Sequence, residues 1–355
     1  MPSDNPVTES PAVIRPGDTG FEIDQAEFSA WLDTLGLACT APVQAVRVGV
    51  GQSNLTFRIT DAQGRQWILR RPPLGHLLAS AHDVAREARV MAALAPTDVP
   101  VPRIHDVRHE GEVALVLMEC VDGLVLDRPA PAEQLTPALR HAVGTSLIGT
   151  LARIHAVDLT ATGLDTLASH SSYAARQLKR WPAQWEKSKT RDLPVLDRLT
   201  ARLRAAVPEQ RELSLVHGDY NLRNVIVSPD TGELTAVLDW ELCTLGDPLA
   251  DVGSLLAYWP RPGEPSIPGV DLCLLPGFPP REELIDRYLE ITGRDRKALA
   301  FWHSLGLWKL GIIAEGVLRR ALDNPRNRAQ SGTPTTDLVD ELIGLADRVA
   351  ADAGI

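Results

Sequence analysis

The sequence predicts an α+β protein of two lobes: a small antiparallel β lobe with one main helix, then a larger, mostly helical lobe. Three observations predict it. Residues 44–71 alternate apolar and polar with a period of two, broken at the turn Asp61-Ala62-Gln63-Gly64. Beyond residue 130 the apolar period becomes helical, most strongly over PALRHAVGTSLIGTLARIHA (137–156). Strand-like runs return in that second part around LSLVHGD and NVIVSPDTGELTAVLDW, the latter turning at Pro229-Asp230-Thr231-Gly232.

Taken in order, residues 1–20 are rich in Pro, Ser, Asp and Gly and predict a loose tail. EIDQAEFSAWLDTLG (22–36) has helical spacing and stops at Gly36. AVRVGVGQSNLTFRIT and RQWILRR read as strands, SAHDVAREARVMAALA (80–95) as a helix closed by Pro96, and EVALVLMECVDG as a buried strand running into a turn at Asp122-Gly123. The expected division is a tail at 1–20, an N-terminal lobe of five strands and one helix at 21–118, a hinge at 119–123 and a C-terminal helical lobe at 124–355, with a cleft between the lobes. Residues 170–206 predict more helix, interrupted near Pro182 and Pro194. Residues 260–280 carry seven prolines and predict a long loop, and 281–350 is helical again.

Bulk properties bound the function. A net charge of −10 argues against a general nucleic-acid binder, because phosphate backbones favour a basic face. Cys39, Cys120, Cys243 and Cys273 form no C-x-x-C pair, so neither a zinc site nor a disulfide framework is indicated, and reduced thiols in a cytoplasmic protein are expected. No run of 18 apolar residues and no basic-then-apolar leader predicts a membrane span or a signal peptide.

The chemistry concentrates in Val216-His217-Gly218-Asp219-Tyr220-Asn221-Leu222-Arg223-Asn224, followed fifteen residues later by Asp239 in Leu238-Asp239-Trp240-Glu241. Phosphoryl transfer needs a carboxylate to orient the attacking hydroxyl and oxygen ligands to hold Mg²⁺ against phosphates. A D-x-x-x-x-N segment supplies the base Asp219 and the metal ligand Asn224 on one loop. A hairpin then brings Asp239 back to the same metal. Singly, each of these residues reads as a turn or a surface carboxylate. Asp239, however, follows the apolar strand TAVL, where an idle charge would be expensive.

H-G-D-x-x-x-x-N followed by L-D-W-E resembles the aminoglycoside phosphotransferase family, relatives of the eukaryotic-type protein kinases, from about Val43 to about Leu322. GQSNLTF, ILRRPP, LLASAHDVAREARVMAAL, RQLKRWPAQWEKSKT and VLDWELCTLGDPLAD are similar to a subgroup of that family. The subgroup includes the kinase-like domain fused to some eukaryotic acyl-CoA dehydrogenases and free-standing bacterial homologues. The resemblance implies a two-lobed protein-kinase-like fold, ATP and Mg²⁺ as cofactors, and a small-molecule hydroxylated acceptor. It places a glycine-rich loop at Gly49-Val50-Gly51-Gln52-Ser53-Asn54, with Asn54 where a third glycine is usual. It also puts Arg70 where a phosphate-binding lysine is usual, with Arg71 as its rival, and Glu87 as the orienting helix glutamate. Glu119 and Val121, flanking Cys120 at the hinge, would meet the adenine. His217 reads as a support of the loop, Asp247 and Asp251 as braces or caps, His155 as a packed helix residue, and the helix at 302–318 as core.

The acceptor is read from residues 170–212, where ten Lys/Arg stand against five Asp/Glu, a net +5. Such a surface would repel polycations and attract an anionic alcohol such as a hydroxyacyl-CoA. Arg176, Lys179 and Arg180 are the candidate anion contacts, and Trp181 or Trp185 the apolar ones. An aminoglycoside or amino-alcohol kinase is the alternative, favoured by the C-terminal acids Asp337, Asp340, Glu341, Asp347 and Asp352. A nucleotide-binding pseudokinase or scaffold is the alternative of another class, kept open by Arg70 and Asn54.

Overall fold

In a computed structural model of the chain, the described residues are 14–17, 20–49, 54–72, 83–111, 113–324 and 332–355. They fall into two compact units, one reaching Ala95 and resuming over Pro102–Val121, the other comprising Pro96–Val101 and Asp122–Ile355. The six residues Pro96–Val101 therefore leave the N-terminal lobe to which the sequence assigns them. A backbone bond from Val237 N–H to the Pro100 carbonyl (2.8 Å) holds them in the second unit.

The first unit opens with β1 (Ile14–Gly17) and β2 (Gly20–Ile23), an antiparallel hairpin with Ile14 opposite Ile23. The stretch 1–20 is thus not loose throughout. Helix α1 (Gln25–Thr34) starts at Asp24, whose carboxylate accepts from Glu27 N–H at 3.0 Å. The strands β3 (Gln44–Val48), β4 (Leu55–Thr60) and β5 (Gln66–Arg71) form a meander. Helix α2 (Val84–Leu94), capped by Asp83, precedes β6 (Ile104–Glu110) and β7 (Val113–Glu119). Among the described residues the sheet runs β3-β4-β5-β7-β6, every neighbour antiparallel, which is the expected five-stranded sheet, while the unit carries two helices, α1 and α2, and the β1–β2 hairpin besides.

One face of this sheet buries Phe57, Ile59, Trp67, Leu69, Leu115 and Leu117 against Phe28, Trp31 and Leu32 of α1. Each such side chain, removed fully from water, contributes about 1.5–3 kcal/mol. The alternation of β5 sends its two arginines to opposite faces of the sheet. Trp67, Leu69 and Arg71 are buried in turn, while Ile68 and Arg70 point to the other face.

The second unit contains β8 (Leu124–Val125), α3 (Pro129–Glu133), α4 (Pro137–His155), α5 (Tyr173–Ser188) and α6 (Pro194–Ala205). Four short strands come next: β9 (Ser214–Val216), β10 (Val225–Val227), β11 (Leu234–Val237) and β12 (Thr244–Gly246). Then come α7 (Leu249–Ala257), α8 (Arg281–Thr292), α9 (Leu299–Asp323) and α10 (Thr336–Asp352). Among the described residues no helix is long and apolar enough to cross a membrane.

Pro194 does start a helix, but Pro182 lies inside α5 without ending it. A proline there cannot donate to the carbonyl four residues back, that of Leu178. Arg204 Nη2 supplies the missing donor at 3.1 Å. Helix α9 is buried almost throughout and crosses α7 where Gly306 meets Gly253, a spot with no room for a Cβ on either.

The fully buried Glu315 of α9 ties the second unit together. Its Oε1 accepts from Thr190 N–H (2.6 Å) and Thr190 Oγ1 (2.7 Å), and its Oε2 from Arg191 Nη1 (2.9 Å). Arg191 also reaches Asp340 of α10. Removing one partner of a buried charged network is costly, so Glu315→Ala is expected to lower unfolding stability by about 3 kcal/mol. A shift of the urea midpoint at unchanged slope measures it; a change within 0.5 kcal/mol (roughly the scale of surface substitutions) contradicts the tie.

Candidate active site

The loop His217–Asn224 joins β9 to β10, and both ends are held by pairing. β9 pairs with β12, and β10 with β11 and β8. Beyond the hairpin, Leu238 N–H donates to the Asn224 carbonyl at 2.8 Å, which draws Asp239 back beside the loop. Asp239 has φ 64° and ψ 57°, making it the one non-glycine residue with positive φ among the described residues. A left-handed aspartate is a held strain of the kind found at functional sites.

Within the loop, Asp219 is half-buried and ringed by donors. Asn224 Nδ2 lies 3.0 Å from its Oδ2 and 2.9 Å from its backbone carbonyl. Asn221 Nδ2 lies 3.0 Å from that carbonyl and 3.3 Å from Oδ1. Both partners of the Asn224 amide nitrogen are oxygens, so its orientation is settled by the bonds, and its Oδ1 is the atom left for a cation. Asn224 Oδ1 and the Asp239 carboxylate are hard oxygen donors. They fit Mg²⁺, which takes one or two protein ligands and completes its shell with substrate phosphates and water.

Burial pushes the Asp219 carboxyl above the ordinary range. The Lys309 ammonium opposes that rise and the Asp239 charge adds to it. Lys309, from α9, donates to the Gly218 carbonyl at 2.9 Å, and burial pulls its ammonium below its usual value. Gly218 is required twice over: its φ is +86°, and a Cβ there would meet the Leu242 carbonyl at 2.7 Å.

The loop is carried by one carboxylate. Asp251 of α7, 1% exposed, accepts from His217 N–H (2.6 Å, Oδ2) and Gly218 N–H (2.9 Å, Oδ1). His155 Nε2 stands 3.3 Å from the same Oδ2, and its Nδ1 is 2.7 Å from the Tyr288 hydroxyl, which Arg294 Nη1 approaches at 3.1 Å. A single direction of donation satisfies the chain: Arg294 to Tyr288, Tyr288 to His155, His155 to Asp251. His217 is satisfied likewise, with Nδ1 accepting from Asp219 N–H (3.3 Å) and Nε2–H donating to the Leu238 carbonyl (2.9 Å). Asp247 accepts from Leu249 N–H at the start of α7, and burial pushes its carboxyl up to about 6.

The other candidates divide. In the first unit Arg70 Nε lies 3.1 Å from Glu87 Oε2, while Arg71 faces the core side and points its Nε at the Pro72 carbonyl (3.3 Å). Gly49 is exposed with φ 78°, Asn54 is buried, and Gly51 and Ser53 lie outside the described residues. Glu119 ends β7, its Oε2 accepting from Arg103 N–H at 3.1 Å, and Val121 lies beyond it, half-buried.

In the second unit Trp185 is 2% exposed and packs in the core, which leaves it no face for a ligand. Arg176 ties α5 to the Ser169, Ser171 and Leu245 carbonyls. Lys179 lines an open pocket of about 310 Å³ with Leu178 and Arg204. Arg180 and Trp181 instead meet Lys309: its Nζ lies 5.5 Å from the Trp181 ring centre, and Arg180 Cζ lies 5.6 Å from it. By its apolar pattern alone, Lys309 belongs to a core helix and is missed as a functional residue. The signal that could have found it is one lysine inside LGLWKLGII, where an unpartnered cation would be expensive to bury.

Burial alone would raise the Asp251 carboxyl. The hydrogen bonds from His155 and from the Gly218 N–H bring it below the ordinary range. A lowered folded value means a stabilising contribution complete above the unfolded carboxylate pKa and lost as pH falls through the lowered one. Asp251→Asn is therefore expected to reduce stability at neutral pH and to flatten the stability–pH curve on its acid side. Equal acid slopes in the two proteins would show that Asp251 is not the group being titrated.

Residues 44–302 match the phosphotransferase enzyme family. The mouse protein acyl-CoA dehydrogenase family member 10 is 37% identical over 317 residues, covering 86% of this chain but only 29% of that protein. The chain thus spans less than a third of that relative's length. A crystal structure from Ralstonia eutropha, assigned as an aminoglycoside phosphotransferase, is 30% identical with a TM-score of 0.74, covering 93% of this chain and 98% of that one. The amicoumacin kinase hAmiN, at 15% identity and TM-score 0.57 over 92% of this chain and 93% of its own, shares the fold. With the HGD loop, the paired Asn224 and the left-handed Asp239 in place, the chain belongs to the phosphotransferase enzyme family.

Proposed function

We propose that this protein transfers the γ-phosphate of ATP, with Mg²⁺, to a hydroxyl of a small anionic alcohol, a hydroxyacyl-CoA being the acceptor class we favour. The observation that carries the phosphotransfer reading is the loop itself. Asp219 is fixed by two asparagines whose amide nitrogens also grip its carbonyl. In this reading Asp219 accepts the hydrogen bond of the acceptor hydroxyl and takes its proton as the new bond from that oxygen to the γ-phosphorus forms and the bond to the β–γ bridging oxygen breaks, ADP being the leaving group. Its elevated proton affinity suits a base that must bind a proton late in the reaction. Asn224 and Asp239 are the magnesium ligands. When bound, the ion supplies positive charge against the phosphate oxygens. Arg70, steadied by Glu87, is our choice for the nucleotide phosphates.

The acceptor class draws support from the Lys and Arg residues of α5 and from the likeness to the dehydrogenase-fused protein. The amino-alcohol alternative draws less. Two of the C-terminal acids it relies on are engaged elsewhere, Asp340 with Arg191 and Asp347 with Arg202. Screening hydroxyacyl-CoAs and aminoglycosides for acceptor-dependent ADP release is the direct test. Efficient turnover of kanamycin with none of hydroxyacyl-CoAs would remove the acceptor assignment and leave the phosphotransfer.

The assigned roles separate by mutation. Asp219→Asn is expected to lower turnover by roughly 10²–10⁴ while Mg-nucleotide affinity stays near wild type. Asp239→Asn should weaken Mg-dependent nucleotide binding as well, so equal affinity losses in both variants would contradict the division. Arg70→Ala should raise the nucleotide KM, with Arg70→Lys recovering only part, because a compact ammonium cannot reproduce the guanidinium fork. A larger effect from Arg71→Ala would reverse the choice between the two arginines.

A further inference from the structure

Part of the charge of residues 170–212 is met inside the fold. Arg191 pairs with Glu315 and Asp340, Arg202 with Asp347, and Lys189 with Glu186 and Asp192, while Arg204 donates to the Leu178 carbonyl. Arg176, Lys179, Arg180, Lys187 and Arg198 take no part in this pairing, and of these Arg180 meets a cation from another helix, Lys309. Among the described residues no carboxylate lies within ion-pair distance of Arg180 or Lys309, yet both flank the Trp181 ring, at 5.6 and 5.5 Å. Lys309 is held in place by the Gly218 carbonyl, one residue before Asp219. Its ammonium has three N–H groups, of which the carbonyl takes one. The Trp181 indole is fixed in turn by Gln177 Oε1 at 2.8 Å.

Two cations on one anchored aromatic ring, beside a catalytic carboxylate, make a subsite for negative charge. We infer that Lys309, Arg180 and Trp181 bind an oxyanion of the acceptor, a phosphate or a carboxylate, and so select an anionic alcohol and place its hydroxyl against Asp219. This deepens the proposed phosphotransfer and rests on it. Arg180 and Trp181 come from α5 and Lys309 from α9, whereas Asn224 and Asp239 stand just outside the two ends of the β10–β11 hairpin. In this proposal the three residues serve the acceptor, and the metal stays with Asn224 and Asp239. Part of the site is solvent-facing, since Arg180 is exposed while Lys309 is half-buried, so added salt should weaken acceptor binding through Arg180 more than through Lys309.

Calorimetric titration of the full chain tests this without turnover. The probes are 3-hydroxybutyryl-CoA, coenzyme A, 3-hydroxybutyrate and kanamycin for the acceptor side, and Mg-AMP-PNP for the nucleotide side. Lys309→Met and Arg180→Gln are each expected to raise the Kd for 3-hydroxybutyryl-CoA by at least about tenfold, the scale of one charge-assisted contact. The Kd for Mg-AMP-PNP should stay within about twofold of wild type, a difference well below one such contact. Coenzyme A showing the same dependence identifies a phosphate, and 3-hydroxybutyrate showing it identifies a carboxylate. The inference is overturned if both variants bind 3-hydroxybutyryl-CoA as the wild type does, if they lose Mg-AMP-PNP instead, or if the wild type takes kanamycin and no anionic probe. Arg180 is exposed, so its variant keeps the test valid should Lys309→Met fail to fold. Absence of Mg-AMP-PNP binding in the wild type would instead strike the phosphotransfer reading itself.

Discussion

The active-site loop depends on one buried carboxylate. Asp251 lies in the first turn of α7 and turns back to receive the N–H groups of His217 and Gly218. Those two amides precede Asp219 and face away from any sheet partner, so without Asp251 they would be buried donors with nothing to bind. The carboxylate keeps its charge because every oxygen lone pair direction in use meets a donor, and His155 is held neutral by burial to supply one more. The cost of burying an ion is offset here by its bonds, and the gain is a backbone that cannot drift. Everything the loop presents, from Asp219 to Asn224, inherits that fixity.

Most of the His217–Asn224 loop was legible in the sequence, because its geometry is set by residue types at fixed spacing. A glycine that must be left-handed, an aspartate beside it, an asparagine five residues on and a second aspartate after a hairpin each leave a mark in the string. The five-stranded sheet was legible for the same reason, through alternation, with β6 the faintest element. IHDVRHE has only Ile104 and Val107 as apolar residues, and it is held as a strand by pairing with β7 at the sheet edge. The exceptions share a cause, which is a partner distant in sequence. Pro182 fails to break α5 because Arg204 supplies the missing donor from another helix. Pro96–Val101 belongs to the second unit, where Pro100 accepts a bond from β11, far away in sequence.

Charge was the least legible property. A net of +5 over residues 170–212 reads as a surface that attracts anions, and the folded chain neutralises much of it with acids from α9 and α10. The acids near the C-terminus, taken alone, read as a surface that attracts cations, and they are the same partners seen from the other side. Local charge counts fail when opposite runs meet in space. Arg180 is among the cations that this cancellation leaves, and Lys309, which joins it at the Trp181 ring, comes from a helix whose pattern spoke only of core.

The crossing of α7 and α9 has a mechanical consequence. At Gly253 and Gly306 the two backbones touch with no side chain between them, so the helices share a fixed point of contact. Asp251 lies two residues before one glycine and Lys309 three residues after the other. An α-helix turns by about 100° per residue, so a slip of a single position would swing either side chain off its target on the loop. The crossing acts as a gauge block: it sets the distance between the carboxylate under the loop and the ammonium over it. A methyl group added at either glycine would be read out as an error in the position of Asp219, the proposed base, from a place with no side chain of its own to suggest it.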